Sequence, residues 1–363
     1  MDLYKLKGFG GADIIPDVFI ENYKSLIWTE RYREASDFQL VTEDVDEIRA
    51  LLPIKSAVTL NDSQYVMLVE THSIETNEKG IDVLTIKGRS YETFLENRTT
   101  LYSGGETLED DGDPMSMVYT TELTTAAVAA KLVAHIGPGG QTKSFIDNND
   151  IDVVGSTSNV SGLPTSVWRV INRDTIYNEV QRLLAENNLG IRSLRSSPDD
   201  DVINIQIYRG TNKTATVIFD ARAGHFKKVS YLWSSVGGKT YVVSSSKTQS
   251  VRIYNSGASG YEGLDNRTGL ADQSDVTQTG TQGTATLTAR AKSYLGNNRE
   301  VVIMDATLGD DQPYKYGTDY KLGDTVKIKG KYGVTVNLMV NEYVRTKDSN
   351  GETGYPGFFQ PNQ

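Results

Sequence analysis

The feature that most constrains this chain is a period-two alternation of apolar and polar residues through its first hundred positions. Val18–Ile20, Ser25–Tyr32, Asp37–Glu43, Ala57–Leu60, Tyr65–Thr76 and Ile81–Gly88 are β-rich runs, parted by polar turns such as Asn61-Asp62 and Asn77–Gly80. Successive side chains of a strand point to opposite faces, so this pattern predicts a small barrel or sandwich. Ser90 then opens SYETFLENR, read as a short helix with Ser90 as N-cap and with Phe94 and Leu95 capping one end of the barrel.

The pattern changes after residues 103–114, SGGETLEDDGDP, whose five carboxylates, three glycines and proline solvate well and pack badly. A domain boundary is expected there, with the loop facing solvent or a subunit boundary. Thr121–Gly137 reads as an Ala-rich helix closed by Gly137, and Asp174–Gly190 as a second helix with an Asp N-cap and a Gly stop. Residues 201–210 return as a strand, and 284–296 as a helix after a Gly/Ser/Asn stretch at 255–283. The expected organisation is mainly β with α+β insertions. It comprises a first barrel over 1–112, a helix-containing α+β domain over 113–210, a second barrel split between 211–254 and 299–350, an inserted loop and helix over 255–298, and a tail over 351–363.

An internal echo bears on the second barrel. Residues 57–80 and 325–351 share a short strand, a tight turn, a longer strand carrying VMLVE or LMVNE, and a polar tip ending in Gly80 or Gly351. Two copies of one barrel type produce such an echo; so does any pair of β-hairpins.

Composition narrows the chemistry. At 363 residues the chain exceeds what one core usually serves. Its hydrophobic share is 38%; dropping the 20 Tyr and counting the 33 Gly brings that to roughly 42%, against about 45–50% for ordinary chains. With no cysteine there are no disulfides, thiolate metal sites or cysteine nucleophiles. A net charge of -10 disfavours non-specific phosphate binding, and no apolar run approaches the roughly 20 residues of a membrane span or resembles a secretory signal.

Catalytic motifs are missing. Gly238-Lys239-Thr240 has Trp233 where a phosphate-binding loop needs glycine, and the GFGGAD segment lacks dinucleotide-loop spacing. His72, His135 and His225 lie far apart, and Ser259 sits outside a nucleophile elbow. Asp110, Asp111 and Asp113 are weak calcium candidates, as is the group Asp147, Asp150 and Asp152; neither follows a calcium-loop pattern, and solvated acidic loops are commoner. No cofactor is expected. Tyr241, Tyr254, Tyr261, Tyr314, Tyr316 and Tyr320 resemble interface anchors, although tyrosine also favours strands.

Several segments together resemble a known family. Trp28–Leu40 (WTERYREASDFQL), the strand carrying VMLVE, Ile86–Thr100 (IKGRSYETFLENRTT), and the closing TDYKLGDTVKI and VNEYVRTKDSNGETGYPGFF are similar to the tail hub proteins of long-tailed siphophages, in particular an actinobacterial-phage hub family. The resemblance implies two similar β-barrel hub domains plus a helix-containing middle domain, in a homotrimer at the virion tail tip, assembled in the host cytoplasm. Implied partners are the distal tail ring, the tape measure protein and a central tip or fibre protein, with DNA passing through the channel unbound. An acidic lumen is expected from the net charge. No catalytic residues carry over; some relatives carry C-terminal peptidase or glycan-processing extensions, and because this chain stops at Gln363, a few residues after its last hairpin, it is expected not to be an enzyme. A cell-wall-degrading enzyme and a glycan-binding receptor module remain the alternatives. From strand and turn positions, the expected subunit or partner contacts are Trp28, Tyr32, Phe38, Arg98, Tyr320, Asp324, Tyr343 and Phe358.

Overall fold

The computed structural model describes residues 1–7, 15–97, 108–109, 116–134, 152–163, 165–171, 175–195, 202–234, 238–254, 263–274, 276, 279–298, 301–308 and 313–359. The chain divides into two units. One holds Met1–Asn212, Tyr320–Asp324 and Val340–Phe358; the other holds Lys213–Asp319, Thr325–Met339 and Phe359–Gln363.

The alternating segments of the first unit form β1 (Leu3–Lys7), β2 (Ile15–Ile20), β3 (Ser25–Arg31), β4 (Asp37–Thr42), β5 (Ala57–Leu60), β6 (Met67–Thr76) and β7 (Asp82–Ser90), with a short helix α1 (Val45–Leu51) before β5. They pair antiparallel in the order β3-β4-β7-β6-β5-β1-β2. Alternate residues Leu26, Trp28, Phe38 and Leu40 are buried, and Trp28 lies directly opposite Phe38 with ring centroids 6.0 Å apart. Among the described residues no hydrogen-bonded pairing closes this order at β2.

After it come β8 (Leu108–Glu109), β9 (Ser116–Thr124), α2 (Thr125–Ala134), β10 (Asp152–Ser158), β11 (Thr165–Ile171), α3 (Ile176–Glu186), β12 (Gly190–Arg195) and β13 (Val202–Tyr208). Thr121–Thr124 extends β9 rather than opening the helix. α2 starts where Thr124 caps it, its Oγ1 accepting from the Ala127 amide at 3.1 Å. α3 is capped by Thr175, not Asp174, through the Asn178 amide at 3.2 Å. Its left-handed residue is Asn188 (φ 51), not Gly190, and the Leu189 amide returns to the Leu184 carbonyl at 3.0 Å.

The expected boundary near residue 112 does not separate two cores. Leu6, Ala57, Val66, Tyr91 and Leu95 of the first strands and the 3-10 turn Tyr91–Asn97 pack in one cluster with Ala129 and Leu132 of α2, Val180 and Leu183 of α3, and Ile191, Ile205 and Ile207. The two segments therefore share one core.

The second unit contains β14 (Ile218–Asp220), β15 (Phe226–Ser234), β16 (Tyr241–Ser245), β17 (Ser250–Tyr254), β18 (Thr268–Asp272), α4 (Gly280–Asn297), β19 (Val301–Leu308) and β20 (Thr325–Lys329). β15 pairs with β19. β17-β16-β18 form a small sheet with Val242, Ala271, Ala291 and Leu295 as the core between it and α4. β18 falls inside the stretch read as loop, because its run of alternate residues is short and rich in Gly and Thr.

The long strand β21 (Thr335–Asp348) begins in the second unit, where its residues 335–339 pair with β20, and continues into the first. There, Glu342–Lys347 pair with Arg31–Leu26 of β3, and β22 (Gly351–Phe359) pairs with β21. The C-terminal hairpin, expected in the second barrel and tail, therefore belongs with the first sheet.

Candidate assembly interface

The first unit is organised around Tyr32, just past β3. Its ring is fully buried and meets Tyr208 edge-on at 5.1 Å. The hydroxyl donates to the Asn188 carbonyl at 2.9 Å, lies 3.3 Å from the Tyr208 carbonyl, and accepts from the Gly210 amide at 3.4 Å. Burial pushes the phenol up to about 12. The surrounding backbone fits only because glycines line it: a Cβ on Gly190 or Gly323 would stand 2.3 or 2.2 Å from the ring. Gly323 also adopts φ +83, which other residues rarely take.

Asp324 follows Gly323 in the L-G-D turn. Its Oδ1 accepts from the Thr211 amide and hydroxyl at 2.7 and 2.9 Å, and its Oδ2 from the Lys321 amide at 2.9 Å. A second link joins the 3-10 turn to β12: buried Glu92 accepts from the Ser193 amide and hydroxyl, both at 2.8 Å. Burial raises the Glu92 carboxyl above its ordinary value. On β3, buried Glu30 accepts from Ser63 at 2.8 Å and Trp28 at 3.3 Å and lies 3.8 Å from Arg345 of β21, which also pairs with Asp62.

These contacts place the residues expected at subunit boundaries. Trp28, Tyr32, Phe38, Tyr320 and Asp324 are buried within the single chain, so their side chains have no surface left for a partner. A buried aromatic and an exposed anchor look alike in sequence, since both sit at alternate strand positions. Tyr343 and Phe358, on β21 and β22, keep partial exposure. Arg98 and the calcium candidates Asp110, Asp111 and Asp113 lie outside the described residues, as does nearly all of the acidic loop. Among the described residues, no group of three or more His, Asp or Glu is placed to hold a metal ion, and no helix is long and apolar enough to cross a membrane.

Outward surfaces lie elsewhere. Phe19 on β2, Ile54 before β5, Ile74 on β6, Ile81 at the β6–β7 tip and Tyr355 on β22 are large apolar residues left exposed in the first unit. In the second unit, one face of the small sheet presents Tyr241 and Tyr254, 5.3 Å apart, with the Arg252 guanidinium 5.7 Å from the Tyr241 ring and Leu270 exposed beside them. Sequence reading found the two tyrosines but missed Ile74, Ile81 and Leu270. For Leu270, its place out of phase with buried Gly269 and Ala271 was the available signal.

The fold has known counterparts. A tail protein from Neisseria meningitidis MC58 aligns over 99% of this chain and 96% of its own, at 11% identity and a TM-score of 0.61. The 43 kDa tail protein of prophage MuSo2 from Shewanella oneidensis aligns over 99% of both chains, at 12% identity and 0.63. Prophage tail protein gp18 from Listeria monocytogenes EGD-e covers 95% of this chain and 90% of its own, at 9% identity and 0.56. No curated protein sequence matches the chain. At such identities the structural likeness concerns the fold, which is mainly β with inserted helices. The family itself is established by sequence: residues 17–355 match the family model described as Siphovirus ReqiPepy6 Gp37-like protein, and the chain belongs to this siphovirus tail-protein family.

Proposed function

We propose that this chain is the tail hub: a homotrimer at the tip of a long non-contractile tail, joining the sixfold distal tail ring to a threefold tip or fibre. It lines the channel for the tape measure protein and DNA, and acts as scaffold rather than catalyst. The observation that carries the reading is the family match over residues 17–355. The net charge of -10 suits a lumen that DNA crosses without sticking. Arg98, Tyr343 and Phe358 are the proposed subunit or partner contacts.

The test is solution mass by sedimentation, alone and with the distal tail protein. Three copies of a 40.0 kDa chain are expected. A monomer at every concentration that also ignores the distal tail protein refutes the reading.

A second reading rests on the Tyr241, Tyr254, Arg252 and Leu270 face, whose side chains are of the type enriched at recognition surfaces. It has the inserted sheet bind a host glycan. Binding to purified host wall glycan that is lost in Tyr241→Ala/Tyr254→Ala supports it; no binding by the unaltered chain removes it.

A further inference from the structure

The echo between 57–80 and 325–351 is a structural repeat whose second copy carries three more residues between its two strands. In the first copy the Val69 amide bonds the Ser56 carbonyl and the Lys55 amide bonds the Val69 carbonyl, each at 2.8 Å. In the second, the Val340 amide bonds the Asp324 carbonyl at 2.9 Å and the Gly323 amide bonds the Val340 carbonyl at 2.8 Å. The bonded residues Lys55 and Gly323 share the left-handed conformation, φ 73 and 83. Val69 thus corresponds to Val340, and Thr71–Thr76 of β6 to Glu342–Lys347 of β21.

That correspondence exposes a difference. Glu342–Lys347 is covered along all six residues by β3, on the edge of β21 opposite β22. On the corresponding edge of β6, opposite β7, no strand lies beside Thr71–Thr76 among the described residues. Thr71, Ser73, Ile74, Glu75 and Thr76 are exposed there. The segment carries no proline or lysine to guard it, whereas β2, the far edge of this sheet, is interrupted by Pro16. The strand that would match β3 in the second half is β15: Ser230–Ser234 (SYLWS) parallels Ser25–Thr29 (SLIWT), each opens an antiparallel pair ahead of its repeat, and β15 is bonded only to β19 among the described residues.

We infer that the open edge of β6 from Thr71 to Thr76 receives β15 of a second copy of this chain, antiparallel, in the register that β3 takes on β21. Ser73 then lies opposite Ser234 and Ile74 opposite Trp233, transferred from Val344 opposite Thr29 and Arg345 opposite Trp28. The added strand satisfies the unpaired backbone groups and covers the exposed Ile74. The inference rests on the assembly reading only in requiring that copies meet.

The chain has no cysteine, so a cross-link reports the register directly. Directly opposed residues of an antiparallel pair lie about 4.5–5.5 Å apart, within the roughly 4.4–6.8 Å a disulfide spans. Under mild oxidation, full-length Ser73→Cys/Ser234→Cys is expected to give covalent multimers on a non-reducing gel, at least tenfold more than Ser73→Cys/Ser230→Cys. In the unaltered assembled chain, amides of 71–76 are expected to exchange at least tenfold more slowly than on dilution to monomer. A multimer whose two cysteine pairs link equally, or link only within one chain, or whose 71–76 amides stay unprotected, overturns the strand placement and leaves the assembly reading standing. A monomer under all conditions overturns both.

Discussion

Replacing Tyr32 with phenylalanine tests whether the first unit is locked by a single buried hydroxyl. The ring stays, so packing against Tyr208 and the glycine-lined backbone is kept and no cavity opens. What goes is the oxygen that reaches Asn188 at 2.9 Å and Gly210 at 3.4 Å. Both half-buried backbone groups then lose a partner, which costs about 1–3 kcal/mol. We expect a loss of about 2 kcal/mol at pH 7 in urea unfolding followed by far-UV circular dichroism. The phenol supplies a second signature. Its folded value of about 12 lies above the ordinary 10, so its stabilisation is fully present below pH 10 and is lost as pH rises from 10 through 12. One pKa unit corresponds to about 1.4 kcal/mol. The gap between the native chain and Tyr32→Phe should therefore narrow by about 1.4 kcal/mol between pH 7 and pH 11. A gap below about 0.5 kcal/mol at pH 7, or one unchanged at pH 11, refutes the reasoning.

Glu92 runs in the same sense at lower pH: its folded pKa is raised, so stability is full below the unfolded value of about 4.3 and falls as pH rises through the folded one. Glu92→Gln keeps an acceptor for the Ser193 amide and should flatten melting temperature against pH between 4 and 8; an unchanged profile counts against burial as the cause. Asp324→Ala strands the Thr211 and Lys321 amides and should lower stability by about 2–3 kcal/mol, with faster exchange at Thr211; a loss under about 0.5 kcal/mol removes its turn-holding role. Glu30→Ala leaves Arg345 beside a gap where its buried partner stood, and a loss of about 3 kcal/mol is expected from denaturant midpoints; a neutral result would mean that Asp62 alone suffices for Arg345.

Where local patterning decides structure, reading the residues worked. Alternation in 25–43 and 57–88 marked five of the strands because one face of each is buried, and the turn at Ser349-Asn350 was visible as a polar hairpin tip. The cap of α3 is Thr175 rather than its neighbour Asp174, since several adjacent residues at a helix start can cap it and only the completed first turn selects one. Gly190 illustrates a different limit. A glycine after a helix reads as a stop, yet its role is to leave room for a ring 158 positions earlier in the chain, and no window of sequence contains both.

The amino-acid sequence by itself determined the mainly β character, the want of cysteine and catalytic motifs, and the family, because each depends on residue type and short-range order. Which aromatics are buried and which face outward, where the C-terminal hairpin pairs, and which strand edge stays open were decided only in the tertiary structure. Those outcomes depend on partners far away in the chain. Trp28 of β3 and Tyr343 of β21 both sit on paired strands, and only the folded chain buries the first and leaves the second partly exposed.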